Sequence, residues 1–260
     1  MNILEKIAAV KRKEVQRRKS NHPVKELERS VFFKHQMPSF YEALAKPVPS
    51  VIGEFKRKSP SRGDINPGAD IRLVAIGYQC AGIAAISILT DEKFFGGKNS
   101  DLQIVAGSSK MPVLRKDFIV DEYQVIEAKS IGAGAILLIA SILSRKEVDA
   151  LSGLALSLGM DTLFEIHDVS DLDRLSQNIK IIGVNNRNLK TFEVSMNNST
   201  ELFQHLPKEC LKVAESGFQT PEDVIRLFKK GYDAFLIGEN FMKSEDPGKS
   251  AAEFMAILNQ

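Results

Sequence analysis

The sequence predicts a single (β/α)8 barrel preceded by a helical extension. Three observations carry that expectation. The length of 260 residues is close to the roughly 250 typical of such a barrel. From about Pro49 onward, short apolar runs rich in β-branched residues alternate with longer amphipathic stretches, the pattern of repeated strand and crossover helix. The runs are almost continuously apolar, as parallel strands covered on both faces must be.

Taken in order, residues 1–48 form the extension and 49–260 the barrel. In MNILEKIAAVKRKEVQRRKS the apolar positions Leu4, Ile7, Ala8 and Val15 recur at helical spacing, and Lys11, Arg12, Lys13, Arg17, Arg18 and Lys19 cover the other faces. The spacing predicts an amphipathic helix packed on the barrel through its apolar stripe, its basic residues forming a solvated face, with anion or nucleic-acid binding by the basic cluster as the competing reading.

The eight strand candidates are Ser50 to Phe55, Ile83 to Leu89, Pro112 to Arg115, Ala135 to Ala140, Thr162 to Ile166, Ile181 to Val184, Leu211 to Ala214, and Ala234 to Ile237. Helix punctuation falls between them. Ser144 precedes RKEVDALSGLALSLG, and Thr220-Pro221-Glu222 opens PEDVIRLFKKG, signals of a capped N-terminus. Gly132, Gly159 and Gly231 stand where a helix ends in a left-handed residue. A doubly wound open sheet is the alternative, but Gly53 to Gly63 contains no GxGxxG fingerprint such as follows the first strand of that fold.

Composition narrows the function classes. With 43% hydrophobic and 26% charged residues, the chain is an ordinary globular protein, not a disordered one. The 35 basic and 33 acidic side chains leave a net charge of +2, too balanced to mark a nucleic-acid or membrane surface. Cys80 and Cys210 form no CxxC motif, so neither a disulfide framework nor a zinc site is signalled. No apolar run approaches the roughly 18 residues of a membrane span. A cytoplasmic protein is expected, with no nucleic-acid or membrane partner; a monomer is expected, an oligomer being the alternative.

In a barrel the catalytic groups lie at the carboxyl ends of the strands. Here strand one ends in Glu54-Phe55-Lys56, strand three in Arg115-Lys116-Asp117, strand five in Glu165, strand six in Asn185-Asn186-Arg187, strand seven in Glu215-Ser216-Gly217 and strand eight in Gly238-Glu239. Charges converging on one mouth must pair or neutralise. Lys56 and Lys116 against Glu54, Glu165 and Glu215 form a balanced set from which a lysine donates and a glutamate accepts a proton. The competing reading is a set of ion pairs that fastens the rim.

The loops after strands seven and eight, Ser216-Gly217-Phe218 and Gly238-Glu239-Asn240, sit where barrel enzymes hold phosphate, and a short helix is expected at Asn240 to Lys243. The loop Lys56-Arg57-Lys58-Ser59-Pro60-Ser61-Arg62-Gly63 is dense in cations and hydroxyls and reads as a lid over an anionic ligand. Phe95 and Phe118 offer an apolar wall for a ring.

These motifs resemble the indole-3-glycerol phosphate synthase family. The resemblance rests on EFKRKSPSRGDI from Glu54, LTDEKFFGG from Leu89, LRKDFIVDEYQ from Leu114, VNNRNL from Val184 to Leu189, and AESG from Ala214. It implies a (β/α)8 barrel of tryptophan biosynthesis. The implied reaction is decarboxylating, dehydrating ring closure of 1-(o-carboxyphenylamino)-1-deoxyribulose 5-phosphate, without cofactor or metal. By resemblance Lys116 is the general acid, Glu165 the general base in the dehydration and Lys56 an assisting proton donor. Glu54, Asn185 and Glu215 position the lysines and the sugar chain. Ser59 and Arg187 bind the anthranilate end, and Pro60, Phe95, Phe118 and Leu137 form the ring pocket. Ser216, Gly217, Gly238 and Glu239 bind phosphate largely through backbone donors, and Leu236 completes the substrate contacts.

Two departures from the family pattern stand out: Asn188 where Asp is common, which bears on the orientation of Arg187, and Lys98 in a loop that is often neutral. The chain ends soon after its eighth unit, so no fused isomerase barrel is expected. His167 is the first acid–base candidate by side-chain chemistry, but the resemblance carries no such role to it, and it reads as a loop or helix-start residue. A phosphoribosylanthranilate isomerase is disfavoured. It would need a Cys and Asp pair at the strand ends, whereas Cys80 falls in an expected helix and Cys210 on the opposite rim. A catalytically silent phosphate binder would not need Lys116 or Glu165.

Overall fold

The computed structural model describes residues 3–188 and 193–260. Eight parallel strands close into a barrel: β1 Ser50–Phe55, β2 Ala85–Leu89, β3 Val113–Lys116, β4 Ala135–Ile139, β5 Asp161–Ile166, β6 Ile181–Asn185, β7 Leu211–Glu215 and β8 Ala234–Ile237. Each strand pairs with its neighbour in sequence, and Ser50 to Gly53 of β1 register with Ala234 to Ile237 of β8 to close the ring. All eight expected runs form strands, with small shifts at their ends. The second begins at Ala85 because the Ile83 N–H is taken by the carbonyl of Tyr78, which finishes the preceding helix Ile71–Cys80.

Strand side chains alternate between two layers, as their period of two requires. Ile52, Ala85, Leu114, Leu137, Leu163, Ile181, Val213 and Leu236 point into the barrel. Val51, Ile86, Val113, Ile136, Phe164, Ile182 and Phe235 pack outward against the helices. Ser144 and Glu147 form a reciprocal capping box at the start of helix Arg145–Ser157. Gly132, Gly159 and Gly231 have φ of 91°, 72° and 113°, the left-handed helix ends expected of them.

The loop after β1 is more ordered than a basic lid requires. Lys58–Ser59 pairs antiparallel with Gly63–Asp64, and Arg57 holds Asp101 with both terminal nitrogens. After β5 the connection is a 3-10 helix, Val169–Arg174.

The residues before β1 close both ends of the barrel. Leu4 and Ile7 of helix Ile3–Asn21 join the interior cluster from the mouth side, while Phe40 and Leu44 of helix Phe40–Leu44 join it from the opposite end. The Tyr41 N–H and the Ser39 hydroxyl both donate to Asp161 at the start of β5.

The basic face of the first helix is not simply solvated. Lys11 is 1% exposed, with Nζ 2.7 Å from Asp91, 2.9 Å from Asp117 and 3.3 Å from Glu14. The physical reason is visible in the spacing: Ile7, Lys11 and Val15 lie four apart, so Lys11 falls on the buried stripe. Arg18 pairs with Glu14 and Glu127, Lys19 with Asp121, and Arg12 donates to the Val120 carbonyl. No helix among the described residues is long and apolar enough to cross a membrane.

Candidate active site

A cavity of about 390 Å³ opens at the carboxyl ends of the strands, within the range of small-molecule sites. Strand alternation decides which polar residues reach it. Glu54, Lys116, Glu165, Asn185 and Leu236 point inward at strand ends, and Lys56, Arg187, Gly217 and Gly238 continue the inward phase into the loops. Ser59, Pro60, Phe95, Phe118, Leu137, Ser216 and Glu239 complete the expected lining. Glu215 does not line the cavity; it is 1% exposed and lies beneath Lys116.

Other strand-end polar groups face away. Arg115 and Asp117 flank Lys116 and their side chains therefore point outward, Asp117 still contributing to the cavity lining. Arg115 is fully buried and bonds Glu127, Asp117, Thr90 and the Gln124 carbonyl. Asn186 binds the Ser216 carbonyl at 3.1 Å and accepts from Ser199. Both are fastenings of the rim.

At the centre, Lys116 Nζ lies 2.7 Å from Glu215 Oε2 and 3.4 Å from Glu165 Oε2. Lys56 donates to Glu54 Oε1. Burial alone would drive the Lys116 ammonium towards its neutral form, but Glu215, Glu165 and Glu54 together hold its pKa well above the ordinary lysine value. Burial opposes ionisation of Glu165, but Lys116 and then His167 keep it below the ordinary carboxyl range. Glu54 is likewise held low against burial by Lys56 and Lys116. Glu215 goes the other way: burial, helped by Glu165 and opposed by Lys116, pushes it up to about 8. The mouth therefore sets the Lys116 ammonium against ionised Glu54 and Glu165, with Glu215 beneath it as the carboxyl that burial pushes up.

Two close approaches make this packing possible. A Cβ at Gly183 of β6 would overlap Glu215 Oε1, and one at Gly238 would press on Glu54. The rings of Phe95 and Phe118 stand 5.9 Å apart as one wall. Ile3, Leu4 and Ile7 of the first helix extend that apolar side. At the other side Ser216 and Gly217 are consecutive residues of positive φ, 69° and 95°, and both line the cavity. The short helix next to them is Glu239–Met242, preceded by Gly238. The Glu239 carboxylate takes Arg62 at 3.2 Å and Arg187 at 3.5 Å, a side-chain role not expected for it.

Ile3 and Val194 line the cavity without having been named, and so do Leu4, Ile7, Arg62 and Asn240, named only as parts of a helix or a loop. The stripe Leu4, Ile7 was legible as buried, but nothing local says that it covers the mouth. Of the motif VNNRNL, Leu189 lies outside the described residues. At Asn188 the backbone N–H donates to the Glu193 carbonyl. Lys98 is exposed and precedes helix Asn99–Ser108.

A closed parallel barrel with lysines and glutamates converging under an apolar wall defines a (β/α)8 barrel with an acid–base site at its mouth. The family model described as "Indole-3-glycerol phosphate synthase" matches residues 4–254. The chain belongs to the indole-3-glycerol phosphate synthase family. A protein of that name from Bacteroides thetaiotaomicron is 42% identical over 257 residues, covering 99% of each chain. Another from Thermoanaerobacter pseudethanolicus is 42% identical over 254 residues, covering 97% of each. Among solved structures, the tryptophan synthase alpha subunit of Legionella pneumophila superposes with a TM-score of 0.62 at 12% identity, covering 86% of this chain and 98% of that one. This last likeness is one of fold alone.

Proposed function

We propose that this mouth closes the indole ring of 1-(o-carboxyphenylamino)-1-deoxyribulose 5-phosphate, releasing carbon dioxide and water to give indole-3-glycerol phosphate. The observation that carries the reading is Lys116, an ammonium held charged between Glu215 and Glu165 at the floor of the cavity. Family membership over nearly the whole chain supports the same substrate.

Lys116 donates a proton to the ketose oxygen as the aryl carbon attacks the carbonyl carbon, so that the alkoxide never forms unaided. Loss of carbon dioxide from the ring carbon that formed the new bond restores aromaticity. The new hydroxyl then leaves as water with a second donated proton, to which Lys56 contributes, while ionised Glu165 accepts the adjacent C–H proton. Glu215 and Glu54 hold the lysines, and Asn185 orients Glu165. Phe95, Phe118, Pro60, Leu137 and Leu236 pack the aryl ring, Ser59 and Arg187 take its carboxylate, and Ser216, Gly217, Gly238 and Glu239 receive the phosphate.

The enzyme acts as a cytosolic monomer in this reading. Of its exposed large apolar residues, Val31, Leu156 and Val194 fall on separate segments, while Leu73 and Ile76 lie three apart on helix Ile71–Cys80, and Cys80 and Cys210 are free. Light scattering of the purified protein tests the mass. Turnover is tested by mixing the protein with the carboxyphenylamino-deoxyribulose phosphate and following indole fluorescence. A rise is expected, and folded protein that gives none would exclude the assignment.

A further inference from the structure

His167 sits two residues beyond β5's Glu165, behind it and outside the cavity lining. Its Nε2 is 3.5 Å from Glu165 Oε1, the oxygen that Lys116 does not hold. Both ring nitrogens are buried and have no hydrogen-bond partner among the described residues. The backbone on either side is fastened: the His167 N–H donates to Asp171, and its carbonyl accepts from Asn198, which also donates to the Asn185 carbonyl. The ring is thus placed by its main chain, and its exposed fraction is small, 17% of the side chain. A buried imidazole with two idle nitrogens is costly to keep.

The ionisable groups around the ring are Glu165 on its own strand, Asp168 and Asp171 at the start of the 3-10 helix, and Lys116 beyond Glu165. Helix Asn197–Leu202 and β6 present the neutral amides Asn198 and Asn185. Glu165 therefore has Lys116 on the Oε2 side and the imidazole edge 3.5 Å from Oε1.

We infer that His167 is a positioning residue for the reaction, a second partner that aims the Glu165 carboxylate and favours its ionised form. The inference rests on the proposed role of Glu165 as general base. Substrate contact is not required of the imidazole; its effect passes through the carboxylate. An Nε2–H donor on Oε1 leaves the Oε2 edge for Lys116 and the substrate proton, and loss of that donor frees the carboxylate to rotate and to hold a proton more tightly.

The test is the pH profile of kcat and kcat/KM for His167→Leu and His167→Gln, with Glu165→Gln measured beside them and folding checked by thermal unfolding. His167→Leu is expected to lose about tenfold in kcat at neutral pH, to change KM little, and to move the acidic limb of the profile upward by about one pH unit. In His167→Gln the amide nitrogen reaches the place of Nε2 and restores most of kcat. An acidic limb in His167→Leu that coincides with that of the parent overturns the inference, as does a Gln variant no better than Leu. If both His167 variants fail to fold, the ring is structural and the inference falls. Glu165→Gln separates the two levels: full turnover there removes the base itself, whereas lost turnover there with a parental profile in His167→Leu removes only the role of His167.

Discussion

Glu215 Oε1 occupies the space that a side chain on Gly183 would fill. The glycine stands on β6 beside β7, registered with Val213 and Glu165, and its missing methyl lets the carboxyl lie beneath Lys116. Gly183→Ala therefore pushes Glu215 out of place. Overpacking of this kind costs about 1–3 kcal/mol. The expected outcome is a folded, less stable protein whose kcat falls at least tenfold; an alanine variant with parental kcat would mean that the seat of Glu215 is immaterial.

Lys116→Met removes the proposed proton donor while leaving the phosphate end untouched. Turnover should drop by at least about a hundredfold, the lower range for a general acid. Binding of a phosphorylated substrate analogue, read by calorimetry, should persist. Substantial residual turnover would transfer the acid role to Lys56.

The fold and most of the cavity lining were legible in the sequence because strand alternation and loop position follow from local pattern. Glu54, Lys116, Glu165 and Asn185 all share the inward phase of strands that the apolar runs already defined. Tertiary partners were not legible. Lys11 looked like one more surface cation, since its three carboxylates come from its own helix and from two loops after β2 and β3. Glu215 read as one more ionised rim group, because its depth below Lys116 depends on Gly183, a neighbour known only after the barrel closes.

Glu215 also gives stability a pH dependence of defined sign. Its carboxyl titrates at about 8 when folded against an ordinary value of 4.5. Its contribution is therefore fully present below about pH 4.5 and is lost as pH rises through 8. Glu215→Gln does not ionise, so its melting temperature minus that of the parent should grow more positive between pH 5 and pH 9. Parallel melting curves across that range would show that Glu215 is ionised throughout.

Lys11→Met leaves Asp91 and Asp117 facing a methyl group in a dry site. Removal of one partner from a buried ionic cluster costs about 3–5 kcal/mol, to be read from the denaturant midpoint. Asp117 is normally held far below the usual carboxylate range, burial being outweighed by Lys11 and Arg115. Lys11 is held above the ordinary lysine value by Asp117 and Asp91 against burial. The pair's contribution is thus present from above the ordinary aspartate pKa up to the ordinary lysine pKa, and fades only at the two extremes. The deficit of the variant should be level from about pH 5 to pH 9 and shrink in strong acid; a deficit confined to neutral pH would contradict this.

The order of synthesis acquires meaning from the first helix. Its cations meet partners 102 to 109 residues downstream: Lys19 with Asp121, Arg12 with the Val120 carbonyl, and Arg18 with Glu127. At about 5–20 residues per second, a nascent chain carries this stripe of Leu4, Ile7 and Val15 for roughly 5–20 seconds before those partners leave the ribosome. The segment translated first thus waits until about half of the chain is made before these contacts form, and the aryl side of the cavity stays unfinished until it docks. Those partners precede Glu165 and Glu215 in the chain, so the first helix meets its ion pairs while the strands that carry the base are still to be translated.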